Sequence, residues 1–212
     1  MTSRAVRVVL VAVAALPILG GCTSALDVGY PETGANRGLL ASVAPRRVTV
    51  GPIADRRVDQ TRIGNVPKNG DAITTTRSVA DTVREALVVE LTKNGHAVVS
   101  EDGDLRLVAD VEDFWLDMAG RDGPTHYVGR VALAVAVRDE RTGATLFMRR
   151  YAGIKRRYAE PDARGAWREV METALGRTLR DIATDAEFVA AVAGRPTARA
   201  PRHSRPSVSR PD

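Results

Sequence analysis

Tyr127-Val128-Gly129-Arg130-Val131-Ala132-Leu133-Ala134-Val135-Ala136-Val137 carries two apolar sets that alternate along the chain. Tyr127, Gly129, Val131, Leu133, Val135 and Val137 fall on one face of an extended strand, and Ala132, Ala134 and Ala136 on the other. The larger set marks the core side. The alanine side is small enough to lie under a helix. Upstream, Leu105, Leu107, Ala109 and Val111 alternate with Arg106, Asp110 and Glu112, and the phase slips at Asp113-Phe114, which predicts a β-bulge. A glycine-bearing turn from Gly120 to Pro124 joins these two runs. Downstream, Asp139-Glu140-Arg141-Thr142-Gly143 reads as a hairpin turn, with a returning strand from Leu146 to about Ile154. Consecutive strands joined by short turns predict an antiparallel meander.

Helical periods flank this meander. Val79, Val83, Ala86, Leu87 and Leu91 repeat on one helical face, with Ser78 as N-cap, Asp81 at N3 and Asn94-Gly95 closing the helix. A short strand follows from His96 to Val99, and Arg47 to Ile53 reads as a first strand with Val48 and Val50 on one face. Between them, the stretch from Asp55 to Thr76 is polar. Asp162 is placed to cap a later helix whose inner side is Trp167, Met171, Ala174, Leu175, Thr178 and Ile182. Asp185 starts a further short turn through Phe188 and Val192. This order predicts an α+β fold: a mostly antiparallel sheet of about 4–5 strands with two main helices on one face.

Asp55-Arg56-Arg57, Ile63-Gly64, the Val79 to Gly95 helix with Leu87 and Leu91, Asp113-Phe114-Trp115 and the Tyr127 to Val137 strand together resemble the YajG family of bacterial lipoproteins. The resemblance spans about residues 43–192. It implies an outer-membrane-type lipoprotein with a periplasm-facing α+β domain, and it supplies no catalytic residues. The extended Arg/Pro tail departs from that pattern.

The N-terminus points the same way. Arg4 and Arg7 precede an apolar run from Val8 to Leu19, an export-signal anatomy too short to span a bilayer. Leu19-Gly20-Gly21-Cys22 then resembles a lipobox, cut between Gly21 and Cys22. The cysteine sulfur is the nucleophile that takes the diacylglyceryl group, and the freed α-amine is then acylated. Two or more chains make such anchoring stable where one is marginal. Thr23 rather than aspartate favours the outer membrane by resemblance to enterobacterial sorting rules. The expected organisation is a signal peptide over 1–21, a flexible tether from Cys22 over 22–44, a YajG-like domain over 45–193 and a disordered Arg/Pro-rich tail over 194–212.

Composition bounds the partners. The 31 Lys and Arg against 26 Asp and Glu suggest a basic protein. Two arginines belong to the leader, while five arginines and one acid belong to the tail. That leaves 24 basic and 25 acidic residues over 22–194, a neutral body that does not predict nucleic-acid binding. The single cysteine leaves no thiol for a disulfide.

The candidates for chemistry are few. His96, His126 and His203 lie at no metal-ligand spacing from other ligand types. Asp110, Glu112 and Asp113 are the closest approach to paired carboxylates, but Asp110 and Glu112 alternate with apolar residues as solvent-facing positions do. Ser78 is explained as a cap, Ser100 lacks a nucleophile elbow, and Gly120 and Gly123 read as turn residues. Arg149-Arg150 and Lys155-Arg156-Arg157 form the densest basic run, read either as a contact for phosphate-bearing lipid or as a charged edge strand that resists aggregation. Trp115 and Trp167 read as core. The sequence thus predicts no catalytic site, no cofactor and no metal. It predicts a palmitate-bearing lipoprotein of the outer membrane, facing the periplasm, that binds an envelope protein, cell-wall polymer or lipid. An envelope hydrolase using the Asp110–Asp113 carboxylates with His126, or a purely structural tether, are the alternatives.

Overall fold

The computed structural model describes residues 24–30, 38–120, 124–161 and 163–195. In chain order its strands are β1 (Ser24–Leu26), β2 (Arg47–Asp55), β3 (Gly64–Asn65), β4 (Ala72–Thr75), β5 (Ala97–Val99), β6 (Leu105–Ala119), β7 (Thr125–Asp139) and β8 (Thr145–Ala159). The helices are α1 (Val79–Lys93), α2 (Arg164–Thr184) and α3 (Ala186–Val192), and a 3-10 turn covers Leu39–Ser42.

The period-two runs become β6, β7 and β8, fifteen residues each and about 50 Å long at roughly 3.3 Å per residue. They pair antiparallel, Leu133 lying opposite Val111 on one side and Tyr151 on the other. The register of β6 against β7 slips between Val111 and Asp113, where the sequence phase breaks. Two features differ from expectation. The sheet has eight strands and is mixed, since β2 pairs in parallel with both β5 and β6 and β1 pairs in parallel with β4. A helix lies between β2 and β5, and a strand returning through a helical crossover naturally comes back parallel. The additional strands β1, β3 and β4 arise from stretches expected to be tether and polar loop.

Local chemistry fixes α1 as its sequence suggests. Ser78 Oγ accepts the Asp81 amide at 3.0 Å, and Gly95 sits at φ 89° just past the end, with His96 N donating to Leu91 O at 3.1 Å. Asp185 caps α3 by accepting the amides of Glu187 and Phe188. Asp162 lies outside the described residues. The N-cap of α2 is Ala163, with no side-chain hydrogen bond.

Helix α2 lies on the Tyr127–Val137 face of β7 and β8 and buries all six of its predicted inner residues. Gly129 and Gly153 make this approach possible. A Cβ on Gly153 would stand 2.1 Å from Ala174 O, and one on Gly129 would stand 2.4 Å from Val170 O. The backbone of α2 therefore rests directly on two bare strand positions. The alanine face of β7 is the opposite one, and no described helix covers it, contrary to expectation: the layer is built on the larger side chains.

The loop from β2 to β3 is organised by one cation. Arg57 is buried, its guanidinium forked onto Asp55 (Nη2 to Oδ2 2.7 Å), while Nη1 donates to Arg62 O at 2.8 Å. A second buried charge closes the helix layer. Lys93 and Glu90 of α1 pair at 2.6 Å with side chains 5% and 4% exposed. Tyr30 donates its hydroxyl proton to Glu90 and accepts from Lys93 at 3.0 Å, and Asn94 Nδ2 donates to Glu90 Oε1 at 3.0 Å.

Candidate functional site

The sheet face turned away from the helices is the candidate site. It is formed by Val108, Asp110, Glu112, Asp113, Trp115 and Asp117 of β6, by the alternate set from His126 to Arg138 on β7, and by Met148, Arg150, Ala152, Ile154, Arg156 and Tyr158 of β8. Strand β8 pairs only with β7, so its outer edge carries no strand among the described residues. Three of the large apolar side chains that remain exposed share this one strand face: Met148 at 59%, Ile154 at 38% and Tyr158 at 71%. His126 stacks on Tyr158, ring centroids 4.5 Å apart. Exposed Ala152 lies between Met148 and Ile154, and Arg150 and Arg156 interleave with them along the same strand face. Exposed apolar side chains on an unpaired strand edge are a candidate interaction surface.

Several charges on this face are paired, while Asp110, Arg138 and Arg156 have no ion-pair partner among the described residues. Glu112 pairs with Arg150, Asp113 accepts from Arg130 Nε at 3.0 Å, and Asp117 pairs with Arg130 while accepting from Trp115 Nε1 at 2.9 Å. Of the three predicted carboxylates, Glu112 and Asp113 are thus held in ion pairs, and Asp110 has no such partner among the described residues. His126 does not join them: Asp113 lies opposite Ala132, six positions along β7 from His126, about 20 Å at strand rise. The hydrolase arrangement does not assemble. Among the described residues no group of three or more His, Cys, Asp and Glu could hold a metal ion.

The basic run is likewise taken up by partners. Arg149 reaches Asp185 and Glu187, Lys155 and Arg157 reach Glu169 of α2, and Arg150 holds Glu112. Arg156 alone of the five has no partner among the described residues, so the run is no phosphate cradle. Asp185 is the hub of the Arg149 cluster: it also accepts the Tyr151 hydroxyl at 2.8 Å. Burial raises its pKa, but the Tyr151 hydroxyl, two backbone amides and Arg149 outweigh that and hold it below the usual carboxylate value. Burial, then the Asp185 carboxylate, push the Tyr151 phenol upward.

His96 is buried and structural. Its Nδ1 accepts the Arg46 amide and its Nε2 donates to Leu40 O, each at 3.3 Å, tying the 3-10 turn to the start of β5. Burial lowers its pKa, opposed by Leu40 O and reinforced by Arg46. The unfolded chain therefore takes up a proton near pH 6.5 that the folded chain does not, so stability falls as pH drops below about 6.5. Urea midpoints at pH 7.5 and 5.5 should show this loss, and His96→Gln should shrink the difference between them. An unchanged difference would count against it.

Trp167 is buried as expected, whereas Trp115 is only half-buried on the open face. Gly21, Cys22, Gly123 and His203 lie outside the described residues. No described helix is long and apolar enough to cross a membrane. The apolar face of β8 was missed because its strand was expected to stop near Ile154. Met148, Ala152, Ile154 and Tyr158 at even spacing, opposite Phe147 and Tyr151, are the signal that reveals it.

Several solved structures are similar to this chain. Protein XCC0632 from Xanthomonas campestris, of family DUF330, superposes with a TM-score of 0.53 at 16% identity, over 76% of this chain and 90% of that one. A candidate lipoprotein from Caulobacter crescentus CB15 gives 0.45 at 16% identity, over 76% and 98%. Lipoprotein GNA1162 from Neisseria meningitidis gives 0.31 at 13% identity, over 51% and 79%. No family model matches the sequence, and no curated protein matches it. The first of these likenesses establishes a common fold and nothing about activity.

Proposed function

We propose that this chain is a non-enzymatic bacterial envelope lipoprotein of the YajG type. In this reading acyl chains on Cys22 hold it to the outer membrane facing the periplasm, and its domain binds another envelope protein through the open face of β8. Cleavage before Cys22 removes residues 1–21, and the Arg/Pro-rich stretch 194–212 trails from the folded body. The observation that carries the reading is the set of exposed apolar side chains Met148, Ile154 and Tyr158 on a free strand edge, beside which Glu112, Asp113, Arg130 and Arg150 are held in ion pairs. Such a surface suits a protein partner, whose side chains or added strand would cover it, better than a sugar polymer, which asks for unsatisfied polar groups.

A photocrosslinking residue at position 158, in the full-length protein in cells, should yield a discrete adduct. The same residue at the exposed position 84 of α1 should not. Met148→Asp with Ile154→Asp should abolish the adduct while membrane fractionation stays unchanged. Identical adducts from both positions, or an adduct that survives the double substitution, would refute the binding surface.

A further inference from the structure

The folded body begins close behind the proposed point of attachment. Strand β1 begins at Ser24, two residues after Cys22, and two fully extended residues span at most about 7 Å. Ser24 lies opposite Ile73 of β4, its Oγ accepts from Arg164 Nη2 at 3.2 Å, and Leu26 and Val28 are buried in the core. The register fixes which end of the molecule this is. Ile73 lies opposite Gly64, Gly64 opposite Leu116, and Leu116 opposite Gly129, so the chain before Ser24 leads toward the β3–β4 turn and the end of β6. The first turns of α2 and the last residues of β8 lie at that same pole.

We propose that this pole rests directly on the lipid headgroups of the leaflet that holds the anchor, with the long strands standing along the membrane normal. The inference rests on acylation of Cys22. The surface fits the role. Lys68, Arg164 and Arg168 are exposed there with no acidic partner among the described residues, and Pro67 and Pro161 are exposed beside them. Anionic headgroups attract such cations at short range. With seven ångströms of slack or less, the domain cannot tumble on a leash. The β7–β8 turn at Asp139–Gly143 is then held about 50 Å from the leaflet, one strand length away. The open face of β8 stands upright beside the membrane, presented to partners that share that leaflet or reach toward it.

Because the acylated Cys22 is the sole native cysteine, an introduced thiol is a unique labelling site. Full-length acylated protein carrying Lys68→Cys or Thr142→Cys, labelled with an environment-sensitive fluorophore, is placed on vesicles of phosphatidylethanolamine and phosphatidylglycerol containing headgroup spin-labelled lipid. The probe at 68 should be quenched several-fold more than the probe at 142. Ten Gly/Ser residues inserted between Thr23 and Ser24 should erase that contrast. Equal quenching at both positions without the insert, on protein whose mass shows the acyl chains, would overturn the pole while leaving the anchor intact. Protein of unacylated mass that fails to float with the vesicles would instead overturn the anchor, and the pole with it.

Discussion

Gly153→Ala should lower the stability of the domain by about 3 kcal/mol, at the upper end of what overpacking costs, because the added carbon meets helix backbone and not a side chain that can turn away. Ala174 O would lie 2.1 Å from the new Cβ and Thr178 Oγ1 2.5 Å from it. The only relief is to lift α2 off β7 and β8, and α2 holds Trp167, Val170, Met171, Leu175 and Leu179 in the core. A loss of that size corresponds to a midpoint lower by roughly 6–12 °C for a domain of this length. Gly165→Ala, where no atom lies within 4 Å of the added carbon, supplies the control and should be neutral or slightly stabilising. Thermal unfolding of the two variants checks the pair, and equal midpoints would contradict the contact.

Glu90→Ala should cost about 3–5 kcal/mol, since it strands the Lys93 ammonium in a site from which water is excluded. Lys93 would keep only the Tyr30 hydroxyl, and Asn94 Nδ2 would lose its Oε1 acceptor. The pair itself is no great source of stability, because desolvating both ions offsets most of their attraction. Glu90→Leu combined with Lys93→Met should therefore recover most of the loss. Urea unfolding of the single and double variants reads this directly. A double variant as unstable as the single one would show that the cost comes from packing.

What could be read from the sequence follows the range of the interactions. Helix α1 was legible from Ser78 to Gly95 because its caps and its apolar face are written within one segment. The β6–β7–β8 meander was legible because alternation and turn residues are equally local, and the bulge showed itself as a slip in phase. The short strands were not legible. Leu26 and Val28 are isolated apolar residues amid glycine and proline; Leu26 becomes strand only by pairing with β4, and both are buried in the core. The polar stretch after β2 takes its shape from Arg57 reaching Arg62 O, which no periodicity encodes. Parallel pairing of β2 with β6 joins residues more than fifty positions apart. For the site, the charged run from Arg149 to Arg157 drew the eye. Its partners Asp185, Glu187 and Glu169 come from helices packed on the other side of the sheet and take Arg149, Lys155 and Arg157, so the open face keeps the apolar side chains beside Arg150 and Arg156.

These features bear on one account of the molecule. A helix layer seals one face of the sheet, ion pairs hold Glu112, Asp113, Asp117, Arg130 and Arg150 on the other, and exposed apolar side chains lie there on a free strand edge. Such a surface is the basis of the binding role proposed above. In the proposed reading its biological meaning depends on where the chain is held, and so on Cys22.

Intact-mass analysis of the mature protein from cells, beside a Cys22→Ser variant, tests this most directly. The native chain should lack residues 1–21, carry a thioether diacylglyceryl group and an N-acyl chain, and sediment with outer membranes, while the variant should remain uncleaved and unacylated. A mature native chain of unmodified mass, or a variant processed and fractionated like the native protein, would contradict the account.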